Sequence, residues 1–156
     1  MYSNNLICDI LEYISKNINL GIKIDDLVSY TYYNRFYIMK LFKKEIKIPI
    51  YDYINIRRIY NSLKQVQDSD YSFYRIGIEN GFNSLEYFSE TFKKIIGVAP
   101  SIYKKVMNKN VDTKVENIDI VKEHLLKIQN IINYSDKYLL RRKPSKIIPK
   151  KLTIFK

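Results

Sequence analysis

The strongest constraint on this sequence is an internal repeat with an offset of fifty residues. The segment YYNRFYIMKLFKKEIKIPIYDYI (32–54) is echoed by GFNSLEYFSETFKKIIGVAPSIYK (81–104). In a single register Phe42-Lys43-Lys44 falls on Phe92-Lys93-Lys94, and Tyr53 falls on Tyr103. Each copy has apolar residues at helical spacing and a proline after them, which is typical of an amphipathic helix that stops before a turn. The chain of 156 residues is therefore predicted to contain two similar, small helical units.

The rest of the chain also predicts an all-α fold. Only 4 Gly and 4 Pro are present, which is too few for the turns of an all-β sandwich. The apolar spacing predicts a first helix near 5–18 and a long fourth helix at about 50–67. Caps predict the starts of other helices, at Asn34, Ser72 and Ser84. The stripe expected to be buried on the long helix is Tyr53, Ile56, Ile59, Tyr60 and Leu63.

The charge of the chain indicates a polyanionic partner. The net charge is +11, and nucleic acid is the commonest polyanion for such a protein. Residues 1–106 have 15 basic and 11 acidic side chains, a net of +4, and residues 107–156 have 12 and 5, a net of +7. Charge alone therefore does not place the binding site in the repeat.

Several cellular locations and site types are not expected. No apolar segment approaches the ~20 residues of a membrane span, and no signal peptide is recognisable, so we expect a cytoplasmic protein that does not contact a membrane. The single Cys8 is predicted to be a small core residue, and His124 a surface residue. Without a catalytic set, a phosphate-binding loop or a Cys/His cluster, we predict no enzyme activity, no cofactor and no metal.

The first repeated unit has the pattern of a helix-turn-helix DNA reader. Such a motif places its second helix in the major groove, with an apolar face on the core and polar side chains toward the bases. If Ile38, Leu41 and Phe42 point inward, the outward side chains are Arg35, Phe36, Met39, Lys40 and Lys43. Arg and Lys can pair with guanine, and an aromatic or Met side chain can contact a thymine methyl. The alternative is a basic helix face that is merely solvated.

With these residues in place, the sequence resembles the AraC/XylS family of transcriptional regulators, and particularly its small MarA/SoxS-like members. The first unit and the linker match in Ile24-Asp25-Asp26-Leu27, Phe42-Lys43-Lys44-Glu45, Tyr53-Ile54 and Arg57-Arg58-Ile59. The second unit matches in Ile76-Gly77, Gly81-Phe82 with Ser84, Phe88-Ser89, Phe92-Lys93-Lys94, Gly97, Pro100 and Tyr103. The resemblance covers about residues 5–106.

The resemblance implies a homeodomain-like arrangement of two helix-turn-helix subdomains on a long linker helix. The first subdomain would span about 5–49, the linker helix about 50–67 and the second subdomain about 68–106. Residues 107–156 would add a linker, an amphipathic helix and a basic tail. A protein of this kind is expected to bind double-stranded DNA and to regulate transcription, usually as an activator. Its two recognition helices would enter successive major-groove segments of an asymmetric promoter site, with RNA polymerase as a further partner.

The resemblance also assigns the residues that would contact DNA. The base-facing residues would be Arg35, Phe36, Met39 and Lys40 in the first unit, and Leu85, Glu86, Ser89 and Glu90 in the second. Phosphate contacts would come from Asn34, Lys43, Lys44, Ser84, Lys93 and Lys94. The family commonly has arginine where Glu90 stands, and the two carboxylates would repel phosphates unless Glu90 pairs with Lys94 or a glutamate accepts a bond from cytosine. We therefore expect the first unit to supply most of the affinity.

The C-terminal third leaves three interpretations open. Val115, Ile118, Val121, Leu125, Ile128 and Ile132 form an amphipathic stripe. This stripe could pack on the DNA reader, form a dimer contact through 115–132, or begin an effector domain. The segment from Arg141 to Lys156 has seven basic residues and no acid, and would either contact phosphates or be disordered.

Two other functions compete with the regulator. An adaptor with the same fold could bind RNA polymerase or another regulator without reading DNA. A protein that coats DNA without sequence preference is the third candidate, although a repeat in one register favours a defined geometry.

Overall fold

The computed structural model describes residues 2–110 and 112–141, and the all-α prediction is confirmed there. The described residues form eight helices and no strand: α1 (Tyr2–Asn17), α2 (Ile24–Thr31), α3 (Arg35–Ile46), α4 (Ile50–Asp68), α5 (Phe73–Glu79), α6 (Leu85–Ile96), α7 (Pro100–Met107) and α8 (Val115–Leu140). Within these ranges no helix is long and apolar enough to cross a bilayer.

The fifty-residue repeat is visible in the helix boundaries. α3 and α6 have 12 residues each, and both their first and last residues are fifty positions apart. As predicted, the Asn34 side chain accepts a bond from the Tyr37 amide at 2.9 Å, and the Ser84 hydroxyl oxygen accepts one from the Tyr87 amide at 3.1 Å. Each helix ends in a left-handed residue, Lys47 or Gly97. The two helices therefore begin with the same kind of N-cap and end with the same kind of C-cap.

Each copy has its own hydrophobic core. The first core contains Leu11, Ile14, Leu27, Ile38, Phe42 and Tyr53, and the second contains Ile59, Val66, Ile76, Phe88, Phe92 and Tyr103. The repeated Phe and Tyr meet edge to face in both, with ring centroids 5.3 Å apart in the first core and 5.5 Å apart in the second. This is a favourable geometry for aromatic pairs, and the same Phe–Tyr contact occurs in both cores.

Helix α4 joins the two cores by contributing its N-terminal half to the first and its C-terminal half to the second. Tyr53, Ile59 and Leu63 are buried as predicted, and Ile56 is half-buried. The prediction that Tyr60 is buried was wrong, because its side chain is 38% exposed. Arg58 takes an inward-facing position instead, at 8% exposure.

The C-terminal stripe packs within the chain. α8 continues to Leu140, beyond the predicted stripe. Val121 and Ile128 lie in the second core, whereas Tyr138 and Leu139 pack against the first. The apolar face considered for dimerisation is thus largely occupied by the protein itself. The basic tail lies outside the described residues from position 142 onward.

Replacing Gly97 by alanine is expected to destabilise the fold by about 2 kcal/mol or more, because the backbone φ there is +90°. An added Cβ would also lie 2.4 Å from Ile120 Cγ2 and 2.8 Å from His124 Cε1. Urea unfolding followed by circular dichroism measures the change. Gly21→Ala is the matched control, since no atom lies within 4 Å of its added Cβ. Equal stability of the two variants would contradict the expectation.

Candidate nucleic-acid interface

The turn between α2 and α3 gives the first unit its helix-turn-helix form. α2 ends at Thr31, its C-cap Tyr32 is left-handed with φ 63°, and Asn34, the N-cap of α3, follows after one intervening residue. In the second unit the turn between α5 and α6 contains Gly81, with φ 91°. A non-glycine residue is uncommon in this conformation, and at Tyr32 the backbone amide donates to the Val28 carbonyl at 2.9 Å, which closes the end of α2.

The four predicted base-facing residues of the first unit share one exposed face of α3. Burial of Ile38 and Phe42 fixes the opposite face on the core. Arg35, Phe36, Met39 and Lys40 are all exposed, and Phe36 is exposed to 79%. Phe36 and Met39 are three positions apart on the helix and both exposed, and neighbouring exposed apolar side chains of this kind often mark an interaction site.

Arg35 has a partner within its own unit. Its Nη2 atom lies 2.8 Å from Oδ1 of Asp25, and both side chains are at least half exposed. An exposed ion pair of this kind contributes at most about 1 kcal/mol, so the guanidinium can exchange Asp25 for a base or a phosphate at little cost.

The second unit presents a face of the same shape but of different charge. Leu85, Glu86 and Glu90 are exposed and Ser89 is half-buried, all on one side of α6. The pairing of Glu90 with Lys94 that the sequence left open is not seen: among the described residues, no ion pair with an N···O distance of 4.0 Å or less joins them. α3 has four basic residues and one acidic, a net of +3, whereas α6 has two of each, a net of zero.

The predicted phosphate-contacting residues fall into two groups at opposite ends of each helix. Asn34 and Ser84 are the N-caps, with their side-chain oxygens already engaged by backbone amides. Lys43, Lys44, Lys93 and Lys94 are exposed in the last turns. Nine or ten residues of helix separate the groups by about 15 Å, more than the ~12 Å width of a major groove.

A group of exposed tyrosines beside α3 was missed in the sequence. Tyr32 is 93% exposed, and the rings of Tyr33 and Tyr37 stack at a centroid distance of 5.2 Å. These side chains flank the N-terminal end of α3. The only signal for this group in the sequence is the number of tyrosines, 15 in the chain.

Arg58 was recognised only as part of a motif, but the structure shows a specific position for it. Its Nε donates to the Ile18 carbonyl at 2.9 Å, and its Nη2 donates to the Leu20 carbonyl. The guanidinium also lies 5.9 Å from the ring centroid of Phe82 in the second unit. Burial lowers the pKa of Arg58, although a guanidinium stays charged in proteins. This side chain therefore joins the loop after α1 to the turn before α6.

Comparison with known proteins agrees with this geometry. A family model described as a helix-turn-helix domain matches residues 27–105. The transcriptional activator AarP of Providencia stuartii is 27% identical over 66% of this chain and 76% of its own length. The transcriptional regulatory protein HptR of Staphylococcus aureus is 34% identical over 67% of this chain. The match spans only 41% of the length of HptR.

Solved structures share the fold. An AraC-type DNA-binding regulator from Chromobacterium violaceum superposes with a TM-score of 0.62 at 21% identity, over 69% of this chain and 96% of that one. The DNA-binding domain of AdpA, solved in complex with a target DNA, gives a TM-score of 0.62 at 15% identity, over 69% and 97%. The chain belongs to the AraC/XylS family of helix-turn-helix transcriptional regulators.

Proposed function

We propose that this regulator binds DNA in a sequence-specific manner and activates transcription, with α3 and α6 in successive major-groove segments of an asymmetric promoter site. The observation that carries the proposal is the pair of twelve-residue helices in one register, each with an apolar face on its core and a second face open to solvent. Two such helices on one linker fit two grooves on one side of a duplex, whose repeat is ~34 Å.

The first unit supplies direct base readout in this proposal. Arg35 and Lys40 can each pair with guanine O6 and N7, and Phe36 and Met39 can contact thymine methyl groups. Each good polar pairing discriminates against a wrong base by roughly 1–3 kcal/mol. Because this face is already exposed, DNA can reach it without rearrangement of the core.

The two ends of each recognition helix hold the phosphates on either side of the groove. The N-terminal ends at Asn34 and Ser84 present backbone amides and the positive end of a helix dipole. The lysine pairs in the last turns reach toward the other strand. Contacts of this kind fix the register of the protein on DNA and carry no sequence information themselves.

Replacing Glu86 and Glu90 by glutamine is expected to raise DNA affinity about three- to tenfold at low salt, because two carboxylates no longer face the phosphates. Fluorescence anisotropy across a salt series measures the effect. Glu116→Gln with Asp119→Asn is the matched control, since it removes the same charge from exposed positions on α8. A loss of affinity in the α6 variant would instead show that a glutamate reads cytosine.

The cellular setting follows from the role. We propose that the protein works in the cytoplasm, acts through DNA rather than by catalysis, and contacts RNA polymerase at the promoter. AarP, one of its relatives, carries the name of a transcriptional activator. The second candidate is the adaptor, which the weakly charged and partly acidic α6 face favours.

Selection from a random duplex library by the full chain, followed by gel shift, separates these roles. The regulator is expected to enrich one asymmetric site with two sequence blocks, and to retain it against random AT-rich DNA. No enrichment, with retention of RNA polymerase, would support the adaptor. Uniform retention of all duplexes would support a DNA-coating protein. We call a duplex with this enriched site the selected duplex.

A further inference from the structure

Helix α8 lies outside the matched helix-turn-helix segment and yet contacts both units. It contacts α6 and α7 of the second unit, α1 and α3 of the first unit, and the linker helix α4. At ~1.5 Å per residue its 26 residues extend ~39 Å. A helix of this length can connect two DNA-reading units along its own axis.

The N-terminal half of α8 is seated on the end of the second recognition helix. Gly97, the residue that terminates α6, approaches Ile120 and His124 so closely that no Cβ would fit between them. The His124 ring nitrogen Nδ1 bonds to the Ile120 carbonyl at 2.7 Å, which holds the imidazole against its own helix. Val121 and Ile128 are buried beside this contact.

The C-terminal half of α8 is fixed to the first unit by a cluster of hydrogen bonds. The Tyr53 hydroxyl on α4 donates to Ser135 Oγ at 2.9 Å in a buried position. The Tyr138 hydroxyl donates to Glu45 Oε2, in the last turn of α3, at 2.7 Å. Burial raises the pKa of both tyrosines, and the Glu45 contact adds to the rise at Tyr138, so both hydroxyls remain donors at neutral pH.

α8 therefore links the C-terminal ends of α3 and α6 directly, in addition to the connection through α4. The span from His124 to Tyr138 is ~21 Å of continuous helix. We propose that α8 is a brace that fixes the spacing between the two DNA-reading units, and that Ser135 and Tyr138 are positioning residues for half-site spacing. This inference rests on the proposed function, since it requires both units to engage DNA.

A fixed brace has a specific consequence for the DNA sites that the protein accepts. One added base pair moves the second half-site by ~3.4 Å and rotates it by ~35° around the duplex axis. A rigid protein can follow this change only if the DNA deforms, and deformation costs free energy. A protein with a loosened brace shares the adjustment between protein and DNA, so its spacing tolerance is wider.

The test uses the full chain and a panel of duplexes made from the two blocks of the selected duplex. The spacer between the blocks is shortened or lengthened by one or two base pairs, and a further duplex has the α3 block alone. The brace variant is Tyr53→Phe with Ser135→Ala and Tyr138→Phe, which removes the hydroxyl pairs and keeps the aromatic rings. Tyr60→Phe on the exposed face of α4 is the control. Circular dichroism checks that each variant is folded.

The parent is expected to lose up to about tenfold in affinity when the spacer is altered, because no more than the second unit's share of the binding can be lost. On the same altered duplexes, the affinity loss of the brace variant is expected to be at least about threefold smaller than that of the parent. Its affinity for the α3 block alone is expected to be unchanged. General destabilisation would weaken binding to every duplex by the same factor. If the folded brace variant loses affinity with spacer length as the parent does, the proposal that α8 is a brace is wrong. If the triple variant unfolds, Tyr138→Phe alone is measured on the same duplexes, and the same result would contradict the proposal. Selection of a single sequence block would instead contradict the two-unit function itself.

Discussion

Replacement of Arg35, Phe36, Met39 and Lys40 by alanine is expected to reduce affinity for the selected duplex by at least about 100-fold. The two cations alone could each lose a pairing worth roughly 1–3 kcal/mol, and the phosphate attraction falls with them. All four side chains are exposed, so their truncation leaves the core of the first unit unchanged. Fluorescence anisotropy gives the affinity, and circular dichroism establishes that the variant is folded.

The matched variant has alanine at Leu85, Glu86, Ser89 and Glu90, the equivalent positions of the second unit. A loss of less than about tenfold is expected, because removal of the two carboxylates offsets the lost contacts. The ratio of the two losses measures how unequally the units share the binding free energy. Equal losses would reject the assignment of most of the affinity to the first unit.

Replacement of Arg58 by methionine is expected to lower the free energy of unfolding by about 3 kcal/mol. Methionine preserves much of the apolar stem but leaves the Ile18 and Leu20 carbonyls without the guanidinium that now donates to them. The Ile18 bond is buried and the Leu20 bond partly buried, and a buried acceptor that loses a charged donor is costly to the folded state. Urea unfolding at equilibrium measures the difference.

Arg57→Met provides the control for this substitution on the neighbouring residue. Arg57 is partly exposed and lies 3.4 Å from Asp136, so its loss is expected to cost at most about 1 kcal/mol. Equal destabilisation by Arg57→Met and Arg58→Met would contradict the claim that the buried hydrogen bonds of Arg58 contribute more to the free energy of unfolding than a partly exposed ion pair does.

Local chemistry explains why the repeated units could be predicted from the sequence. Caps such as Asn34 and Ser84, terminators such as Gly97, and apolar residues at three- and four-residue steps act within a few positions of one another. Because the two copies align with one offset of fifty residues, a helix predicted in one copy supports the helix predicted at the equivalent positions of the other. The resemblance to a known family added the arrangement of the two units and the candidate contact residues, which remain predictions.

Contacts between distant segments could not be predicted in the same way. Periodicity shows that α8 has an apolar face, but it does not show that this face would cover both cores rather than a second molecule. Tyr60 and Arg58 occupy the same helix, and the apolar pattern favoured the tyrosine for burial. The arginine is inside because it donates hydrogen bonds to the carbonyls of Ile18 and Leu20 in the loop after α1. These residues come close to Arg58 only in the folded chain, so the sequence pattern did not indicate the contact.

The central claim is that both recognition helices enter the major groove one helical turn apart. Hydroxyl-radical footprinting of the full chain on the selected duplex tests it most directly. The expected result is two protected segments on one face of the duplex, with centres about 10 base pairs apart, and loss of the second segment when its sequence block is scrambled. A single protected segment, or uniform protection along the duplex, would contradict the claim.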